Sequence, residues 1–352
     1  MPNVKIFFDH KLVGANFADN KAWLETKSPA GDKQELEITF DLLIGADGAH
    51  SATRYHLMKY TRMDYKQEYI DTLWCEFTIP PDVYPTPSSK FPISSNHLHI
   101  WPGSDRMFIA IPSLDGSFTC TLFLPSAEFS RLSATPETLP SFFNTSFPGV
   151  TNLITPATLI AQFKANPHLP LISLTCSPYH YRASAVIVGD AAHAMVPFYG
   201  QGMNAGLEDV RVLFDLLPLS TPTPESLDRY TAIRAPDAAA ISALALTNYV
   251  EMREGVVSPI YKLRKRLEEA LSHYFPALGW ATQYSRVSFG NMRYSEVVEA
   301  SRHQGNVILA AGALVVPVIG VAVWIARGGV KCYTRDRKSV CRERVWIKCR
   351  SR

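Results

Sequence analysis

The strongest constraint on the fold lies between Ala185 and Leu217, AVIVGDAAHAMVPFYGQGMNAGLEDVRVLFDLL. A short apolar run, of the kind buried on both faces of a parallel sheet, delivers Gly189 and Asp190 at its carboxyl end, where open α/β sheets bind ligands. After a loop containing Pro197 and Phe198, Gly200-Gln201-Gly202 opens a helix whose apolar positions are Met203, Leu207, Val210, Phe214 and Leu217. Gly200 and Gly202 let the backbone approach a flat ligand. Asp190 suits a sugar hydroxyl, and the unpaired first-turn amides of Met203 and Asn204 favour negative charge. Taken singly, each residue fits a turn or a helix cap; strand, GD, Pro, GxGxN and amphipathic helix in that order point to a ligand site.

A second motif, DLLIGADGAHSATR from Asp41 to Arg54, ends an apolar strand at Asp47-Gly48 and starts a short helix near Ser51. Gly45 and Gly48 permit close backbone approach, and Asp47 can meet the polar groups of a dinucleotide. By itself this segment reads equally well as a strand and a turn. A reduced flavin, negatively charged along one edge, matches the helix terminus at Met203.

Between these motifs, Leu73 to Ile79, Leu98 to Trp101, Met107 to Ile111 and Phe118 to Leu124 alternate with period two. They predict an antiparallel sheet inserted as a second domain, with Met107, Ile109 and Ile111 on one face of one strand. Pro80 to Ser95 and Pro218 to Pro224 read as surface loops. The N-terminal residues 1–6 lack a signal-peptide core and read as a strand already inside a domain. Cys75, Cys120 and Cys176 sit in apolar surroundings and are expected as buried free thiols in a reducing, intracellular setting.

Val307 to Ala326 holds twenty residues without a charge, about 30 Å of helix, and is read as a membrane anchor. The basic tail that follows has ten Lys or Arg and two acids, so the net +3 of the whole chain leaves the first 326 residues at −5. That charge distribution and the near-neutral total argue against nucleic-acid binding. Hydrophobic residues make up 47% of the chain, which excludes disorder. His97, His99 and His193 are too scattered for a metal site, so no metal is expected, and no Ser-His-Asp order or carboxylate pair suggests a hydrolase.

The two motifs together resemble the DG and GD fingerprints of the flavin-dependent aromatic hydroxylases, which are FAD and NAD(P)H monooxygenases. Within that family LHIWP (Leu98 to Pro102), SFTCTLFLP (Ser117 to Pro125), GDAAHAMVPFYGQGMNAG (Gly189 to Gly206) and NYVEMR (Asn248 to Arg253) are most similar to the members that hydroxylate kynurenine. The resemblance covers about residues 1 to 326. It implies that Leu12, Asp47, Gly48, Ala52, Gly189, Asp190, Pro197, Gly200, Gly202, Met203 and Asn204 hold FAD, although most relatives carry Thr in place of Ala52. It places the aromatic substrate against Leu98, Met107, Ile109, Ile111, Phe123, Pro197 and Phe198, with Asn248 and Tyr284 on its polar part. The bare sequence would assign Met107, Ile109 and Ile111 to ordinary sheet core. His193 belongs to the flavin motif and is not a proton shuttle, and no side chain is assigned a catalytic role. NADPH, dioxygen and L-kynurenine are the implied small-molecule partners, giving 3-hydroxy-L-kynurenine on the route from tryptophan to pyridine nucleotides.

The implied fold is a Rossmann-like FAD-binding α/β fold. Residues 1–66 carry the DG motif, 67–180 the antiparallel substrate sheet and 181–217 the GD motif. Residues 218–306 form a helical region, 307–326 the anchor, and 327–352 a basic tail that does not look like the family. The GxGxxG turn that should open such a fold is not found, because the chain begins beyond its place, so the first βαβ unit is expected to be missing and FAD to bind weakly or not at all. The resemblance also implies the mitochondrial outer membrane, with the catalytic part in the cytosol. Two alternatives stay open. One is another membrane-anchored flavin monooxygenase, a squalene-epoxidase-like enzyme acting on an isoprenoid lipid, against which Asn248 and Tyr284 argue. The other is an inactive remnant that binds a partner.

Overall fold

The computed structural model describes residues 3–27, 31–82, 90–103, 105–218, 221–253 and 259–326. Residues Met1–Glu299 form one compact unit and Ala300–Arg352 a second. The first unit opens with three strands, β1 (Lys11–Asn16), β2 (Lys21–Lys27) and β3 (Lys33–Thr39), paired antiparallel in that order. Residues 3–10 are not a strand, contrary to expectation, and Val4, Ile6, Phe7 and Phe8 are exposed.

The apolar strand that leads to Asp47 does not continue the strand before it. β3 ends at Thr39, and β4 (Leu43–Gly45) belongs to a different sheet. The amide of Phe40 bonds to Asn20 at 3.1 Å while that of Leu43 bonds to Ser184 at 2.8 Å, so the chain changes partner between them. β4 is not buried on both faces either, since Ile44 is exposed. After it, α1 (Ala52–Leu57) is capped by Ser51, whose hydroxyl accepts the Arg54 amide at 2.9 Å.

β5 (Asp64–Ile79), β6 (His99–Pro102), β7 (Met107–Pro112) and β8 (Phe118–Leu124) follow. Then come α2 (Ser126–Ala134), α3 (Leu139–Ser146), α4 (Pro156–Ala165) and β9 (Leu169–Ser177). The five strands form one antiparallel sheet in the order β6-β7-β8-β5-β9. The Asp115-Gly116 turn between β7 and β8 uses the positive φ of Gly116, 98°, as a hairpin of this sequence should. One face of the sheet, including Phe77, Phe108, Ala110, Phe118, Cys120 and Leu122, is sealed by Phe129, Phe143, Leu159 and Phe163 of α2 to α4.

The chain then returns through β10 (His180–Tyr181) and β11 (Ala185–Ile187), with β11 parallel to β4. α5 (Asp190–His193), α6 (Gly202–Leu216), α7 (Pro224–Arg253), α8 (Pro259–Tyr274), α9 (Gln283–Phe289) and α10 (Tyr294–Ala326) complete the elements. The antiparallel sheet lies in the same compact unit as the parallel pair. Leu174 and Cys176 at the end of β9 share a core with Ala185, Val186 and Ile187, which ties the sheet to the parallel pair within one unit.

Residues 307–326 are helical as the last part of α10, but most side chains beyond 310 lie outside the described residues. Among the described residues no helix is long and apolar enough to cross a membrane. The basic tail 327–352 lies outside them too, as do 83–89 of the first loop and 219–220 of the second.

Candidate functional site

The two motifs meet at the carboxyl ends of β4 and β11, joined by the 2.9 Å bond from the Val188 amide to the Gly45 carbonyl. Beyond β4, the Asp47 carboxylate closes its own loop, accepting the Ser51 hydroxyl at 2.5 Å and the Thr53 amide and hydroxyl at 2.9 and 3.0 Å. Desolvation of the loop would raise this carboxyl, but the three donors outweigh it and hold Asp47 below the ordinary carboxylate value. Gly48 has φ 78°, and open space lies where its Cβ would be. Ala52 is half-buried at the start of α1, which touches both β1, where Leu12 is half-buried, and α5.

Beyond β11, Gly189 takes φ 58°, ψ −141°, and the chain turns directly into α5 with Asp190 exposed at its first position. The short 3-10 turn Pro197–Tyr199 ends at Gly200, φ 68°, again facing open space. α6 then starts one residue earlier than the Met203 expectation. Met203 and Asn204 are exposed in its first turn, where amides have no helical acceptor. Asp190, the first-turn amides of α6 and the open glycine Gly200 therefore present polar and negative-charge-seeking groups beside bare backbone. A flat, partly anionic ligand with a sugar moiety fits that donor and acceptor set.

The apolar stripe of α6 does not face the core. Met203 is 75% and Leu207 62% exposed, and Val210 and Phe214 are also exposed; the buried side is Ala205, Asp209 and Leu213. The helix is turned by what its other face carries. Asp209, wholly buried, accepts the Gly189 amide at 2.8 Å and His193 Nε2 at 2.5 Å through one oxygen, and Arg234 Nε at 2.7 Å through the other. Burial would push the Asp209 carboxyl up, but His193 and Arg234 hold it below its ordinary value. Arg234 also reaches Glu208 at 2.9 Å and Asp237 at 3.5 Å, and Asp237 accepts from Arg293 at 2.9 Å. His193 is buried, and its Nδ1 has no partner among the described residues.

An aromatic wall adjoins this turn. Met107 of β7 pairs with Phe123 of β8, and the Phe123 ring lies 5.0 Å from that of Phe198. Phe198 stacks on Tyr249 at 4.2 Å, and Asn248 Nδ2 donates to the Phe198 carbonyl at 2.8 Å. Tyr284 stacks on Tyr199 at 5.7 Å. Six expected substrate residues are thus brought to one place: Met107, Ile109, Phe123, Phe198, Asn248 and Tyr284. Pro197 opens the turn and is exposed. Leu98 and Ile111 are placed differently: both are about half exposed and outside the buried cluster, Leu98 just before β6 and Ile111 near the end of β7.

Sequence reasoning passed over Asp209, Arg234, Asp237, Arg54, Gln201 and Tyr249. The signal for Asp209 was present, an acid at the i+4 position between Ala205 and Leu213 on what proves to be the buried face. Gln201 accepts from Asn204 and from Tyr294, each at 3.1 Å. Among the described residues no group of His, Cys, Asp and Glu could hold a metal ion.

Comparison with known proteins gives the family. Residues 2–245 match the family model described as FAD binding domain. The chain is 58% identical over 356 residues to a kynurenine 3-monooxygenase of Neurospora crassa, covering 94% of this chain and 69% of that protein. It is 60% identical over 332 residues to one from Chaetomium globosum, covering 88% and 69%. Among solved structures, 2-methyl-3-hydroxypyridine-5-carboxylic acid oxygenase superposes with a TM-score of 0.55 at 18% identity, covering 73% of this chain and 65% of that one. The probable FAD-dependent monooxygenase pqsL from Pseudomonas aeruginosa gives 0.53 at 18%, covering 70% and 64%. The chain thus spans somewhat under two thirds of these solved chains, whose likeness shows the α/β flavoprotein fold alone. By its FAD-binding core and its identity to curated relatives, the chain belongs to the kynurenine 3-monooxygenase family of FAD-dependent hydroxylases.

Proposed function

We propose that the protein is an FAD- and NADPH-dependent monooxygenase that converts L-kynurenine to 3-hydroxy-L-kynurenine with dioxygen. The observation that carries this reading is continuity: from Gly189 to Asn204 one stretch of chain supplies Asp190, the aromatic Phe198 and the amino end of α6 in succession. The cofactor edge and the aromatic wall are therefore neighbours in the chain. Electron uptake from NADPH and activation of dioxygen are what FAD supplies when bound.

The protein's own residues bind, orient and exclude water. With the cofactor bound, Asp190 would accept from its sugar hydroxyl, and the Met203 and Asn204 amides with the α6 dipole would favour negative charge on it. Met107, Ile109, Phe123 and Phe198 form a dry wall for the aromatic ring. Tyr284 lies beside Tyr199, while Asn248 holds the Phe198 carbonyl and so the shape of the turn.

The test is to incubate the purified protein in detergent with FAD, NADPH and kynurenine and to analyse products by mass and chromatography. The expected result is 3-hydroxykynurenine together with NADPH oxidation stimulated by kynurenine. A flavin-loaded protein that makes no such product would overturn the reading.

The same reading includes location. The charge-free stretch 307–326 anchors the protein in the mitochondrial outer membrane, with the preceding residues in the cytosol. Its length, about 30 Å as a helix, and the basic residues after it support this. Alkaline extraction of mitochondria should leave the protein in the membrane pellet and release a variant ending at residue 306; equal release of both would remove the anchor.

A further inference from the structure

We propose that Asp209 is a positioning residue that sets the Asp190 turn against the amino end of α6. The inference rests on the reading of Asp190 as a cofactor-holding group. A single oxygen, Asp209 Oδ2, accepts from Gly189, the residue before α5, and from His193, its last residue. Both ends of the four-residue helix are thus clasped by one atom, and Asp190 is aimed from between them. Asp209 stands on α6, the same helix whose first turn carries Met203 and Asn204. One carboxylate therefore registers two elements that hold the ligand without itself lying among the ligand-facing residues.

Further contacts keep this clasp from shifting. Arg234 Nε takes the other carboxylate oxygen at 2.7 Å, so the carboxylate cannot rotate freely. Arg234 is itself held by Glu208, by the Ala205 carbonyl at 3.3 Å and by Asp237, which Arg293 and Ser295 fix in turn. The two elements are also in backbone contact: a Cβ on Gly206 would lie 3.4 Å from the Gly189 Cα. An apolar pair could fill a helix interface at lower desolvation cost than a buried ion network. An apolar residue at 209 could not accept the Gly189 amide, and the direction of the turn depends on that bond.

The test is a double-mutant cycle on the purified protein, with FAD affinity read by quenching of flavin fluorescence. Asp209→Asn keeps the shape and one acceptor oxygen but loses the charge and turns an NH2 group toward either the clasp or Arg234. It should weaken FAD binding about tenfold, by analogy with the loss of metal affinity when the outer partner of a metal ligand is removed. In the Asp190→Ala background the same substitution should change affinity by less than about twofold, since no carboxylate remains to be aimed. The visible spectrum of bound flavin should shift alike in both single variants.

An equal loss in both backgrounds would mean that Asp209 acts only through general stability, and would overturn the proposal. Should Asp209→Asn fail to fold, His193→Ala opens one end of the clasp and leaves the ion pair with Arg234 whole. Its loss of affinity must likewise disappear in the Asp190→Ala background. If wild type shows no FAD binding, or Asp190→Ala binds FAD as well as wild type does, the cofactor reading of Asp190 in this chain fails, and this inference with it.

Discussion

The guanidinium of Arg54 donates to the Ala191 carbonyl at 2.7 Å and to the Ala49 carbonyl at 2.6 Å, joining two chain segments 137 residues apart. Arg54 closes the first motif and Ala191 lies in the second, so the parallel strand pair is not their only link. The side chain is buried and lies over the Tyr65 ring at 5.3 Å.

Replacing this residue tests the link. Arg54→Met leaves two carbonyl groups without their charged donor, and stability should fall by about 3 kcal/mol. Arg54→Lys should recover only part, because a point charge cannot reach both acceptors as a planar fork does. Urea unfolding of the three proteins is the measurement; a loss below about 1 kcal/mol in Arg54→Met would show that the link carries little.

The two faces of β7 should separate stability from recognition. Phe108 packs on the helix-covered side, so Phe108→Ala should cost about 3–5 kcal/mol and leave the KM for kynurenine unchanged. Ile109, half-buried on the other face, should do the reverse: Ile109→Ala raises KM severalfold at a smaller cost in stability. Parallel effects of the two variants on both quantities would contradict the assignment of faces.

His180 makes stability depend on mild acid. Burial opposes its protonation and outweighs the Asp228 carboxylate 3.0 Å away, so its folded value lies below the ordinary 6.5. As pH falls through 6.5 the unfolded chain takes up the proton before the folded one does. Its contribution is therefore complete above that value and is lost as pH drops toward the folded value. Denaturant midpoints measured at about pH 7.5, 6.5 and 5.5 should decline, with a shallower decline in His180→Gln. Parallel decline in both proteins would assign the effect elsewhere.

The thiols of Cys75, Cys120 and Cys176 are each pushed up to about 12 by burial. Native protein at about pH 8 should leave these three unlabelled by a thiol reagent, and all three should label once unfolded. Peptide mass mapping reads this directly. Rapid labelling of Cys176 in the native state would contradict its burial against the Ala192 carbonyl.

Much of the site was legible because its chemistry is local. Gly189, Asp190, Gly200 and Met203 sit within one stretch whose order of residue types betrays it, and the period-two strand at 118–124 has the expected bounds. What escaped notice depends on partners distant in sequence. Asp209 and Arg234 stand on two helices with nothing in the local sequence to join them, and only packing makes them one buried pair. The division of β3 from β4 was hidden for a similar reason: the apolar pattern continues across it while the hydrogen-bonding neighbour changes. The α6 stripe shows the converse, an apolar periodicity that the observed core does not use.

β7 carries two interleaved instructions in six residues. Phe108 and Ala110 are read by the folding process, while Met107 and Ile109 form the row that packs with the aromatic wall. A lineage can therefore alter every second letter of this strand to suit a new ring without rewriting the letters that keep the sheet together. Drift in substrate preference and conservation of architecture are compatible within a single stretch of backbone.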